Sequence, residues 1–224
     1  SICFHDIDFL IWLTRHRWHK LTSFGSLRWF HSANAPKGSA DRCIDCSVEN
    51  DCPFSAVKLY RERREWIANF DVPEGKTIDD VIEYQLHVGI YGRCVYHCDN
   101  NVVDHQIVSM EMESEVTINF SMDVFTLKDN RETHICLTEG EIDGDETTLR
   151  VKRFCGREET VYDFSDIAGT PFHAGADLAL MEDFIEAVRS SKKSLATAID
   201  VSVESHLICY EAERSRREER IIVF

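Results

Sequence analysis

One stretch limits the fold more than any other. In "VTINFSMDV" the apolar residues Val116, Ile118, Phe120, Met122 and Val124 alternate with Thr117, Asn119, Ser121 and Asp123. A two-residue period marks a strand buried on one face and polar on the other. The preceding "QIVSMEM" is apolar and partly β-branched, and "ESE" supplies a turn, so the two runs predict an antiparallel hairpin. Further short strands are expected at "THICLT", "TLRVKRF" and "TVYDF", with "EIDGDE" as the turn between the first two, and at the terminal "RIIVF".

Outside this region the period is helical. "HDIDFLIWLT" sets Ile7, Leu10 and Ile11 on one stripe, with Phe9, Trp12 and Leu13 adding bulk and Asp6 and Asp8 in the first turn, which predicts a short buried helix. "LTSFGSLRWF" reads as extended, and residues 31–53 carry turn formers, prolines at 36 and 53 and three cysteines, the composition of a long irregular excursion. Two helical patches follow, "SAVKLYRERREWIANF" and "TIDDVIEYQLHV", the second opened by Thr77 with Asp79 and Asp80 behind it. Two more come late, "DLALMEDFIEAV", with Leu178, Met181, Ile185 and Val188 in a stripe, and "VSVESHLICYEAERSR". Helices at both ends of an antiparallel meander predict an α+β fold, a large sheet covered by helices on one face.

Charge and cysteine usage narrow the function classes. A formal charge of -15 leaves no basic stripe for phosphates, which argues against nucleic acid and anionic membrane as partners. The basic run "ERSRREER" is interleaved with Glu and reads as a solvated helix end. No apolar segment approaches the twenty or so residues of a membrane span. Nine cysteines, an odd number in a chain of 224 residues that opens without a signal peptide, point to free thiols in the cytoplasm.

Polar chemistry concentrates in "YGRCVYHCDNNVVDHQ", residues 91–106, where a loop feeds the first strand of the hairpin. Loops held at the ends of rigid elements are where sites tend to lie. Nearby, Cys43, Cys46 and Cys52 form C-x2-C-x5-C, and Cys94 or Cys98 would complete a four-thiolate set of the structural zinc kind. There is no second C-x-x-C pair, and no metal is assigned on spacing alone. No nucleophile elbow or Cys-His signature marks any thiol as catalytic.

Taken in order, "CFHDIDFLIWL", "FGSLRWFHSANAPKGSADRCIDCSVENDCPFSAVKLY", "YGRCVYHCDNNVVDHQIVSMEME", "LTEGEIDGD" and "FHAGADLALMEDFIEAV" resemble the C-terminal domain of the Gfo/Idh/MocA oxidoreductases, the glucose-fructose oxidoreductase and inositol dehydrogenase family. The resemblance spans residues 1–224 and implies the substrate-binding and oligomerisation half of an NAD(P)-dependent enzyme acting on a sugar, polyol or related hydroxy compound. It also implies a homodimer or larger through the sheet face. In that family NAD or NADP is held by a separate dinucleotide-binding domain. None of the ten glycines here sits in a G-x-G-x-x-G, so no cofactor is expected on this chain alone, and the start "SICFHDID", without Met, is expected to be a fragment's.

The resemblance places the catalytic histidine at His5, since "FHDID" matches the family's helix start. An imidazole at the positive end of a helix is suited to accept a hydroxyl proton as hydride departs. Where many relatives carry Asp four residues earlier, this chain has Ser1. Tyr91, Arg93, His97, Asp99 and Asn100 are the candidate substrate ligands of the polar loop, joined by His173 and Asp177 of "FHAGAD", where Ala174 and Ala176 stand in for part of the family's glycine run. The alternative function is a non-catalytic carbohydrate-binding or dimerisation module of the same fold.

Overall fold

The computed structural model describes residues 4–127, 130–168, 175–190 and 199–224. Helix α1 (Phe4–Thr14) leads into strand β1 (Trp18–Ser26), and after the long excursion come α2 (Ile78–His87) and the hairpin β2 (His105–Met112) and β3 (Thr117–Asp123). A meander β4 (Thr133–Cys136), β5 (Gly140–Gly144), β6 (Thr148–Arg153) and β7 (Glu159–Asp163) follows. The chain ends with α3 (Ser165–Ala168), α4 (Ala176–Ser190), α5 (Ile199–Glu218) and β8 (Ile222–Val223). Two compact units result, one of 1–124 with 205–224, the other of 125–204. Among the described residues no helix is long and apolar enough to cross a membrane.

The first unit holds an antiparallel sheet in the order β3-β2-β1-β8. Its buried face carries Leu21, Val108, Met110 and Met112, which pack with Ile7 and Ile11 of α1 and Ile208 and Ala212 of α5. Ile118 and Phe120 lean onto the same core, as the alternation requires. Ile7, Leu21, Val108 and Ile208 are all but inaccessible, and each such burial stabilises the unit by about 1.5–3 kcal/mol. Phe9, Trp12 and Leu13 of α1 are exposed, because one helix face suffices to cover the sheet. Thr117, Asn119, Ser121 and Asp123 stand on the open face, beside Phe24 and Ile107, which face each other across β1 and β2.

A second core forms under α2, from Cys43, Val57, Tyr60, Phe70, Ile82 and Leu86. Thr77 caps α2 through a reciprocal box, its hydroxyl accepting Asp80 N–H while the Asp80 carboxylate accepts Thr77 N–H. The helix expected over "SAVKLYRERREWIANF" is instead one π-helical turn, Val57–Glu62, followed by a 3₁₀ turn at Ile67–Asn69. Arg64 and Trp66, both with φ near +60°, break the helical path between them.

The second unit is the meander, ordered β4-β5-β6-β7 and antiparallel throughout. The segment "EIDGDE", expected as a turn, begins inside strand β5. Gly140 explains part of this: a Cβ there would collide with the Lys152 carbonyl oxygen of β6, so glycine permits the close strand approach. Leu178, Met181, Ile185 and Val188 of α4 are exposed, and Ala187 is the buried residue of that helix.

Candidate functional site

The excursion between β1 and α2 is docked onto the 91–104 loop by the backbone. Arg42 and Arg93 form an isolated antiparallel bridge, and Cys94 N–H donates to Asp41 O at 2.8 Å. The Arg42 guanidinium also closes the end of α2, donating to the carbonyls of Gln85 at 2.8 Å, Leu86 at 3.0 Å and Gly89 at 2.6 Å. The loop then turns tightly at Ile90–Gly92, where a Cβ on Gly92 would strike the Gln85 and Leu86 carbonyls.

Five nominated residues therefore stand on one stiffened segment. Tyr91 is half exposed, its ring 5.3 Å from that of Phe70. Arg93 pairs with Asp99 at 2.8 Å; that hydrogen bond raises the guanidinium pKa and holds the Asp99 carboxyl below the usual carboxylate range. His97 Nε2 lies 3.0 Å from Ser39 Oγ, and Asn100 Oδ1 accepts Val102 N–H at 3.2 Å in a local turn. Each side chain thus has an internal partner and a solvent-facing part, able to donate or accept toward a hydroxylated ligand. Cys98 and Tyr96 are different: burial pushes both up, Tyr96 against the hydrogen bond that Trp29 Nε1 donates to its hydroxyl at 3.1 Å.

Sequence reasoning passed over a buried carboxylate paired with an imidazole, which is next along the chain. Asp104 is 2% exposed, and its Oδ2 accepts the N–H groups of Trp29 at 2.6 Å and Phe30 at 3.3 Å. Burial pushes its pKa up, but the amides of Trp29, Arg28 and Phe30 and the His105 ring outweigh this and bring it down to about 2. Its other oxygen lies 2.8 Å from His105 Nδ1. An imidazole held by a carboxylate that is ionised near neutral pH presents its second nitrogen in a fixed direction, and His105 does so from the open-face side of β2, beside Ile107. The adjacent "DH" pair at the mouth of a strand was the available signal.

The remaining nominated residues lie apart from this loop in the chain. His5 is exposed in the first turn of α1, its ring 4.3 Å from Phe4, which stacks on His206 at 4.6 Å. Asp177 is exposed in the first turn of α4, in the other unit. His173, like Ser1 and Ala174, lies outside the described residues. In the second unit, His134 Nδ1 lies 2.5 Å from Asp143, Cys136 Sγ lies 3.3 Å from His134 Nε2, and Lys152 bridges Asp143 and Glu141. All are exposed or half-exposed on the sheet, and the sequence had signalled none of them.

No family model and no curated protein matches the chain. Solved structures do. An oxidoreductase from Agrobacterium radiobacter, in complex with NAD+, L-tartaric acid and magnesium, matches 100% of this chain and 48% of its own at 11% identity, with a TM-score of 0.56. The aldose-aldose oxidoreductase from Caulobacter crescentus, complexed with glycerol, matches 99% and 45% at 11% identity and TM-score 0.53. The transcriptional regulator Gal80p from Kluyveromyces lactis matches 98% and 44% at 14% identity and TM-score 0.56. The chain spans about half the length of each of these proteins. It has the α+β fold of the C-terminal domain of Gfo/Idh/MocA-type oxidoreductases.

Proposed function

We propose that this chain is the substrate-binding and oligomerisation half of an NAD(P)-dependent oxidoreductase acting on a sugar, polyol or related hydroxy compound. The observation that carries the reading is the docked 91–105 segment, which presents a guanidinium, a carboxylate, an amide and two imidazoles where the loop enters the interior strand β2. Such a mixture matches a ligand with several hydroxyl groups, each needing both a donor and an acceptor. NAD or NADP would be held by a dinucleotide-binding domain, and its chemistry is acceptance of hydride from the carbon that bears the reacting hydroxyl. In this reading His5 takes the hydroxyl proton as that hydride leaves.

The test is steady-state reduction of NAD(P)+ by the chain joined to a dinucleotide-binding domain, with a panel of sugars and polyols. Because a general acid-base group contributes roughly 10²- to 10⁴-fold, His5→Ala should lower kcat by about two orders of magnitude and leave cofactor affinity nearly unchanged. A His5→Ala protein within a few fold of wild type would move the proton-transfer role to another group, with His105, His97 and His173 next in line.

One observation favours a second reading. The regulator Gal80p shares this fold, so a non-catalytic module that binds a carbohydrate or dimerises is the alternative. Binding of a sugar without turnover in the same assay would select it.

A further inference from the structure

The eight described cysteines are all free thiols. Four of them, Cys43, Cys46, Cys52 and Cys94, line a single small cavity of about 10 Å³, room for one water-sized sphere. They reach it from separate pieces of backbone. Cys43 opens one 3₁₀ turn and Cys46 closes it, Cys52 closes the turn at Glu49–Asp51, and Cys94 comes from the 91–104 loop. Polar side chains beside them are already engaged: Ser55 donates to the Glu49 carboxylate and receives Lys58 N–H, and Ser39 is taken by His97. The groups left to meet an occupant are sulfurs.

Four cysteines lining a space the size of one atom supply the donor types of a tetrahedral soft-metal site, and the space suits a single ion better than an iron–sulfur cluster. We propose that Cys43, Cys46, Cys52 and Cys94 bind one structural zinc ion that staples the 31–53 excursion to the 91–104 loop. Cys98 is not among the lining residues, so the geometry selects Cys94 for the fourth place. Among the described residues no three such side chains already stand around a metal position, so the proposed ion would draw the four thiolates together on binding. The need for a staple is plain from the excursion itself, whose regular structure is limited to three-residue turns and which is longer than compact domains usually leave without support. Metal ligation supplies that support by adding its binding energy to folding.

The experiment is metal analysis of the chain purified in reducing buffer without chelator. About one zinc ion per chain is expected, released when an organomercurial titrates the thiols. Cys46→Ser and Cys94→Ser should bring zinc to background, while Cys98→Ser and Cys136→Ser keep it. Because a cysteine variant can fail to fold, wild-type protein stripped of metal is also refilled with cobalt(II). The visible absorption and sulfur-to-metal charge transfer of a tetrahedral thiolate complex are expected. Zinc retained by both Cys46→Ser and Cys94→Ser, wild-type protein without stoichiometric metal or cobalt spectrum, or iron with acid-labile sulfide in place of zinc would each overturn the proposal.

Discussion

Asp104 Oδ2 accepts the Trp29 N–H at 2.6 Å, and through this bond a buried carboxylate ties the chain leaving β1 to the chain entering β2. Asp104 N–H in turn donates to Ser26 O at 3.0 Å, and Val124 N–H donates to Asp104 O at 3.1 Å, so three strand ends meet on one residue. The folded-state pKa is depressed to about 2 from 3.8. A depressed carboxyl contributes stability above its unfolded-state pKa and loses it as pH falls through the folded value. Asp104→Asn should therefore cost about 2 kcal/mol near neutral pH, and the gap to wild type should shrink between roughly pH 4 and pH 2. Urea unfolding across that range measures it, and a gap independent of pH would contradict the assignment.

Arg42 should be the least replaceable residue of the excursion. Its planar fork reaches three carbonyls at the end of α2, which a lysine ammonium cannot span in that geometry. Arg42→Lys is expected to cost about 1–3 kcal/mol and to speed amide exchange at Tyr91–Cys94. Unchanged exchange with full stability would show that the loop is held by other means.

Much of this arrangement was legible beforehand, for identifiable reasons. The hairpin was readable because its period is two over nine residues, 116–124, and α2 because Thr77 opens it with Asp79 and Asp80 in the first turn. Strand β5 was not, since "EIDGDE" holds the turn formers Asp143, Gly144 and Asp145 in succession and its pairing is set by the approach of β6 to Gly140. The break after Glu62 was hidden because nothing in Arg64 or Trp66 marks a left-handed backbone. In the polar loop the segment was readable and the internal roles were not. Whether Asp99 pairs with Arg93, or Asp104 with three amides, depends on partners brought in from residues 28–30 and from the turn of the loop itself.

The open face of the first sheet should be an interface between two copies of the chain. Phe24 is 63% and Ile107 49% exposed, and they are cross-strand neighbours. Around them the polar residues Ser109 and Asn119 are hydrogen-bonded at 2.8 Å, so this rim keeps its shape on association. Light scattering at tens of micromolar is expected to give a dimer or larger for wild type and a monomer for Ile107→Glu, in which a charge would have to be buried without a partner. A wild-type monomer at that concentration would contradict the interface.

The most direct test of the central claim is a heteronuclear NMR titration of the chain with sugars and polyols. The account predicts that a binding ligand shifts amide signals at Arg93, His97, Asp99, Asn100 and His105 in one saturable process, and that Arg93→Ala weakens it. Shifts confined to other regions with saturable binding, or no perturbation of the 91–105 segment by any polyhydroxylated ligand, would contradict the assignment of this segment as the substrate site.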